Sequence, residues 1–253
     1  MKKLRIAQYS LTGCEGCAIA IINALARIPK LLDHLEIVTS RIIGYVEPKE
    51  ADIAFVDGAV ITEHDLETLK EVREKSKILV AMGSCASFGG IPAMRDDIGF
   101  KEAVRIVYGS MPDIRHTGRV EPLDYIVKVD YVLPGCPPPD WELEIFLRNM
   151  LLEKKFVLPD KPVCFECRSN GVPCLLDQGK VCLGPITTAG CDAICPLYNF
   201  PCLGCRGPIE ELRLDKYLEA LEDHGISIDE LLEDLKVFMN KTKPRIILEG
   251  GGK

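Results

Sequence analysis

Nowhere does the sequence hold an uninterrupted run of the ~18 or more apolar residues that a membrane-spanning helix needs. Few residues precede the first motif, at Cys14, and an export leader is not expected there. The chain reads as complete and cytoplasmic. It also lacks a basic surplus: the formal charge is −7, with acidic and basic residues mixed along the chain. That balance excludes the electrostatic footprint of a nucleic-acid or anionic-membrane binder. Neither GxGxxG nor GxxxxGK[ST] occurs, so Gly89-Gly90 is not a phosphate loop. No internal repeat has a fixed period. The four histidines, His34, His64, His116 and His224, stand apart from every cysteine motif in polar or helical contexts and read as surface residues rather than ligands.

What the chain does have is cysteine. Twelve of its 253 residues are Cys, and 47% are apolar, enough to bury a real core in one large domain or two unequal ones. Six disulfides do not suit a reducing compartment, which leaves metal ligation or redox chemistry.

Two stretches differ in character. Over residues 1–155 short apolar runs alternate with helical ones: KLRIAQYS, Ala18 to Ile28, LEIVTS, ADIAFVDG, Glu63 to Lys75, KILVAMG, Lys101 to Tyr108, IVKVDYVLPG, and Trp141 to Leu152. That rhythm predicts a parallel α/β sheet. Several of the strands are apolar on successive residues, as strands covered on both faces are. Trp141 reads as a packing residue at the start of the last helix. Over residues 156–253 the rhythm stops, and Val163 to Pro208 carries eight cysteines among Gly and Pro. A segment of that composition is expected to have no apolar core of its own and to need staples. Two short helices follow, Leu214 to His224 and Ile228 to Asn240.

Position makes the first four cysteines informative. Cys14 and Cys17 follow the first strand in LTGCEGC, Cys85 follows KILVAMG in MGSCASFGG, and Cys136 follows IVKVDYVLPG in LPGCPPP. Each stands just past the C-terminal end of a strand. In an open parallel sheet those loops share one edge, where ligands bind at the topological switch point. Thiols up to 122 residues apart are thereby expected to meet. Gly13, Gly16, Gly83, Gly89, Gly90 and Gly135 suit the sharp turns and leave backbone N–H groups to face sulfur. Cys17 also opens a helix, whose dipole favours thiolate. A thioredoxin-like dithiol would use Cys14 and Cys17 but leave Cys85 and Cys136 idle. Structural zinc accepts the same Cys₄ set, and spacing does not exclude it.

The second stretch repeats the arithmetic: Cys164-x2-Cys167-x6-Cys174-x7-Cys182, then Cys191-x3-Cys195-x6-Cys202-x2-Cys205. Eight ligands suffice for two more Cys₄ centres, although in two-cluster ferredoxins the last cysteine of a run can serve the other cluster. Twelve cysteines make three such centres with none left over. Three iron–sulfur clusters in one chain can pass electrons, whereas three zincs have no comparable use.

SLTGCEGC, VDGAV, MGSCASFGGIP, LPGCPPP and CLGPITTAGC…PCLGC, spread over residues 5 to 208, together resemble the small, electron-transfer subunit of [NiFe] hydrogenases. The nearest likeness is to the cytoplasmic group of archaeal sulfhydrogenases and coenzyme F420-reducing and non-reducing enzymes. The resemblance implies a flavodoxin-like domain holding a proximal [4Fe–4S] cluster through Cys14, Cys17, Cys85 and Cys136. It further implies a loop-rich, ferredoxin-like domain with a distal cluster on Cys164, Cys167, Cys174 and Cys182 and a medial one on Cys191, Cys195, Cys202 and Cys205. Nickel would sit on a separate large subunit, since this chain has no paired nickel-binding CxxC motifs. Flavin is not expected either, because Cys14 and Cys17 occupy the position of the flavodoxin phosphate loop. Flavin or iron–sulfur acceptor subunits are the further partners implied.

Periplasmic members of that family carry a twin-arginine leader where this chain begins MKKLRIAQYS. They place histidine at the position of Cys164 and often lack the cysteine that matches Cys195. The comparison implies three four-iron clusters here. Relatives commonly have Glu where VDGAV has Asp57, which marks Asp57 as a neighbour of the proximal cluster or an ordinary strand-end cap. Arg168, Lys180 and Arg206 beside the ligands offset cluster charge or are simply solvated. Two other readings stand against this one: a cluster subunit like that of respiratory complex I, which has adjacent cysteines in place of the spaced Cys14 and Cys17, and a zinc-stapled scaffold.

Overall fold

In a computed structural model describing residues 3–44, 47–110 and 115–242, the chain divides into two compact units, Met1–Phe156 and Val157–Lys253. The first unit runs β1 (Leu4–Ser10), α1 (Gly16–Arg27), β2 (Leu35–Ser40), β3 (Ala51–Asp57), β4 (Val60–Thr62), α2 (Glu63–Lys75) and β5 (Ser76–Met82). It continues with α3 (Gly83–Phe88), α4 (Arg95–Ile98), α5 (Phe100–Tyr108), β6 (His116–Glu121), β7 (Tyr131–Leu133) and α6 (Asp140–Leu151).

Five strands form one parallel sheet in the order β2-β1-β3-β5-β7. Counted within the sheet, that is the flavodoxin-like order 2-1-3-4-5, whose switch point lies between β1 and β3. The apolar successive residues of Ile53 to Val56 and Leu79 to Met82 are all at most 1% exposed, as burial on both faces requires. Phe146 of α6 anchors one face, its ring 5.7, 5.4 and 5.3 Å from those of Phe55, Tyr131 and Phe156 in edge-on contacts. Helix α2 begins where its sequence says it should. Thr62 accepts from the Asp65 amide, and Asp65 returns the bond, closing a capping box.

Two features depart from the sequence reading. IVKVDYVLPG gives only a three-residue strand, because Asp130 spends its own N–H on the Leu79 carbonyl and its carboxylate on the Leu79 N–H and Arg73. Trp141 is 41% exposed on α6 and does not pack into the core. The antiparallel pair β4 and β6 is too short and too polar (HTGRVE) to show a strand period.

The second unit contains α7 (Val163–Ser169), α8 (Ile194–Leu197), α9 (Leu214–Asp223) and α10 (Ile228–Phe238). The cysteine-rich segment has no separate core of its own but shares one with the chain that follows it. Val163, Leu175, Leu176, Leu183 and Ile186 pack with Leu214, Tyr217, Leu221, Leu231, Leu235 and Met239 in one buried cluster. The cysteine-rich segment lacks enough apolar residues alone, and the amphipathic faces of α9 and α10 supply the rest. Among the described residues no helix is long and apolar enough to cross a membrane.

Candidate metal centres

Register places the first four cysteines. Ser10 pairs with Asp57, Asp57 with Met82, and Met82 with Leu133, so one row crosses four strands at the C-terminal edge of the sheet. Cys14 lies four residues past that row, and Cys85 and Cys136 three past it. The loops are tied to one another. Thr12 and Ala59 exchange backbone bonds of 3.3 and 3.0 Å, and the Ser84 N–H and Oγ both donate to the Gly135 carbonyl, at 2.8 and 3.0 Å. The result is a rigid rim with Cys14 and Cys136 exposed and Cys17 and Cys85 half-buried.

The four thiols are close enough to influence one another electrostatically. Burial pushes the Cys17 thiol well above its ordinary value, and Asp57, Cys85, Cys136 and Cys14 each push it further. Cys85 is pushed up to about 12 by burial and then by Cys136 and Cys14, with the Ile91 N–H pulling the other way. The helix dipole expected to favour thiolate at Cys17 is outweighed. Four such groups can ionise together only around a cationic core.

The surroundings fit an inorganic core. At Gly90 a Cβ would stand 2.8 Å from the Cys85 N and 3.0 Å from its Sγ, and at Gly83 it would overlap the Cys17 Sγ. Both glycines have positive φ, +83° at Gly83 and +48° at Gly90. Backbone therefore closes round the sulfurs with nothing protruding. Asp57 joins them: 2% exposed, its Oδ1 accepting from Gln8 Nε2 at 3.0 Å and Ser10 Oγ at 2.8 Å. Burial raises its carboxyl to about 6 despite those bonds.

In the second unit Cys164 is raised to about 12 by burial, then by Cys182, Cys167 and Cys174, while Arg168 lowers it. A Cβ on Gly184 would lie 3.3 Å from the Cys164 Sγ and 3.5 Å from that of Cys182, a cradle that sequence reasoning missed although CLGP carries it. Cys202 is driven well up by burial; the Gly204 N–H and the Thr187 hydroxyl oppose the rise, Cys182 and Cys205 add to it. Cys182 feels both Cys174 and Cys195, and its sulfur accepts the Cys202 N–H at 3.3 Å, so the two sets abut there. Cys191 takes N–H bonds from Ala193 and Ile194. Arg206 is 1% exposed, not solvated, whereas Arg168 is exposed. Glu166, which sequence reasoning also missed, lies against Cys191.

Among the described residues no three His, Cys, Asp or Glu side chains converge closely enough to hold a single metal ion. Backbone N–H groups turn to the sulfurs of Cys182 and Cys191, as they do in iron–sulfur centres.

Residues 14–148 match the family described as NADH ubiquinone oxidoreductase, 20 Kd subunit. Over 238 residues the chain is 34% identical to the sulfhydrogenase 2 subunit delta of Pyrococcus furiosus, covering 93% of this chain and 99% of that one. It is 29% identical over 291 residues to an iron–sulfur subunit of the F420-non-reducing hydrogenase of Archaeoglobus profundus, covering 91% and 90%. Among solved structures, a chain of an NAD+-reducing [NiFe]-hydrogenase in the H2-reduced state is similar with a TM-score of 0.57 and 32% identity, over 62% of this chain and 96% of that chain.

Proposed function

Since the chain belongs to the family of [NiFe] hydrogenase small subunits, we propose that it relays electrons through three [4Fe–4S] clusters between the nickel–iron site of a separate large subunit and an acceptor subunit. In this reading Cys14, Cys17, Cys85 and Cys136 hold the proximal cluster, Cys191, Cys195, Cys202 and Cys205 the medial one, and Cys164, Cys167, Cys174 and Cys182 the distal one. The clusters supply one-electron chemistry when bound. The chain's own contribution is to fix them. The observation that carries the reading is the single row of Ser10, Asp57, Met82 and Leu133, which sets four thiols from three loops on one rigid rim. Sites on rigid elements hold the short gap that electron transfer needs, so this rim faces the large subunit. Asp57 lies beside the proximal cluster, and its bonds to Gln8 and Ser10 hold the carboxylate in place. The assembled enzyme works in the cytoplasm.

The match to the 20 Kd subunit family favours a second reading, a complex I-like cluster subunit, over residues 14–148 only. Eight of the twelve cysteines lie beyond residue 148, and the sulfhydrogenase match extends over 93% of the chain, which favours the hydrogenase. Replacing Cys17 by Ser in the assembled enzyme tests the assignment. Hydrogen-dependent dye reduction is expected to be abolished and the iron content to drop; wild-type activity in the variant overturns the proximal role of Cys17.

A further inference from the structure

The stretch Thr188–Cys191 is gripped from two sides by groups of opposite charge. On one side the buried Arg206 donates from Nε to the carbonyls of Thr188 at 3.2 Å and Ala189 at 2.8 Å. On the other, Glu166 of α7 accepts the Gly190 N–H on Oε1 at 2.8 Å, and the Cys191 thiol faces its Oε2 at 3.9 Å. The peptide dipoles match this arrangement: carbonyls turn to the cation and an amide turns to the anion. A further bond holds the loop just beyond Cys191, where Asn170 Nδ2 reaches both the Asp192 carbonyl and its Oδ1 at 3.0 Å.

We propose that Glu166 and Arg206 form a charge pair that clamps Thr188–Cys191 and sets the reduction potential of the iron–sulfur centre held by Cys191. The inference rests on the reading of Cys191 as a ligand. Reduction of such a centre adds one negative charge to it. A carboxylate beside the ligand opposes that charge, and a buried guanidinium behind the ligand loop favours it. Their opposed signs let the chain hold the ligand loop rigidly from both sides while keeping the centre within a working range of potential. Glu166 also stands between Cys164 and Cys167 on α7, so the same side chain ties the backbone of one ligand set to the first ligand of the other. Both are positioning residues, acting on the centre through Cys191 and its loop.

The assembled holoenzyme carrying Glu166→Gln, Glu166→Ala, Arg206→Met, Arg206→Lys or Cys191→Ser distinguishes the possibilities, with iron analysis, redox titration followed by electron paramagnetic resonance, and amide hydrogen exchange as readouts. Glu166→Gln keeps the bond to Gly190 and loses only the charge. It is expected to retain full iron, leave Gly190 exchange unchanged and raise one midpoint potential. Glu166→Ala is expected to speed Gly190 exchange at least tenfold. Arg206→Met is expected to lower the same potential, and Arg206→Lys, which keeps the charge, to restore it in part. The proposal is overturned if Glu166→Gln shifts no potential or loses iron, or if it and Arg206→Met shift a potential in the same direction. Because burying a methionine at position 206 threatens folding, Glu166→Gln and Arg206→Lys decide the matter alone if Arg206→Met fails to assemble. Cys191→Ser tests the underlying reading separately: full iron in that variant removes Cys191 from the ligands, whatever the charge variants do.

Discussion

Replacing Gly90 by Ala offers a sharp test of the first centre, because Gly99 provides a matched control. Both residues have positive φ, +48° with ψ −149° at Gly90 and +78° with ψ 153° at Gly99, conformations open essentially to glycine alone. A Cβ at Gly99 meets nothing within 4 Å, so Gly99→Ala costs only the backbone strain of about 1–3 kcal/mol. A Cβ at Gly90 meets the Cys85 N at 2.8 Å and Cα at 2.9 Å, main-chain atoms that cannot swing aside as a side-chain tip can. Relieving that overlap moves Cys85 itself, at an added cost of about 1–3 kcal/mol. For a unit of this size the addition corresponds to a thermal transition roughly 2–12 °C below that of Gly99→Ala. Iron analysis and thermal unfolding of the two purified variants provide the assay. Gly90→Ala is expected to lose up to one cluster of iron, while Gly99→Ala keeps all of it. A Gly90→Ala protein with full iron and the same transition as Gly99→Ala would refute the idea that backbone at Gly90 shapes the site.

Other expectations concern parts of the chain that can be probed separately. Phe146→Ala, which empties the centre of three edge-on ring contacts at a fully buried position, is expected to cost about 3–5 kcal/mol in the first unit's unfolding by denaturant. Cys167→Ala is expected to lower iron by up to one cluster and slow reduction of the natural acceptor, while hydrogen–deuterium exchange at the large subunit survives. Because Leu183, Ile186 and Leu235 keep a buried core, new protease cuts should fall in the cysteine loops and spare α9 and α10. His224 is raised by its bond to the Ala220 carbonyl and then by Asp177, 2.9 Å away. A raised folded-state value means the stabilisation is complete below the ordinary histidine value and is lost as pH climbs through the folded one. His224→Ala should accordingly lose less thermal stability between pH 6 and pH 8 than the unaltered chain.

How much of this was legible in the sequence varies with the kind of interaction. Helix α2 falls at Glu63–Lys75 as read, because its cap and its apolar spacing are local. So do the cores of β1, β3 and β5, whose successive apolar residues have no other use. β7 was overestimated, since nothing in KVDYV reveals that Asp130 would turn its own amide and carboxylate onto Leu79. That Cys14, Cys17, Cys85 and Cys136 would stand past strand ends on one edge of the sheet was readable from one rule about parallel sheets. Glu166 and the burial of Arg206 were not, because each depends on a contact across 17 to 25 residues of irregular chain that no periodicity encodes. The core of the second unit went unread for a related reason: much of it comes from chain that follows the cysteine-rich segment.

The row of residues from Ser10 to Leu133 also dictates an order of events during biogenesis. Its thiols come from chain positions 14 to 136, so this pocket does not exist until β7 has joined the sheet. The other eight cysteines fall between residues 164 and 205 and need far shorter loops to close. On the proposed reading, a chain emerging from the ribosome therefore cannot complete its first ligand set until more than half of it has been made. On that reading the first ligand set is a property of the finished sheet edge rather than of any linear stretch of chain, so a misregistered sheet would leave its four thiols apart.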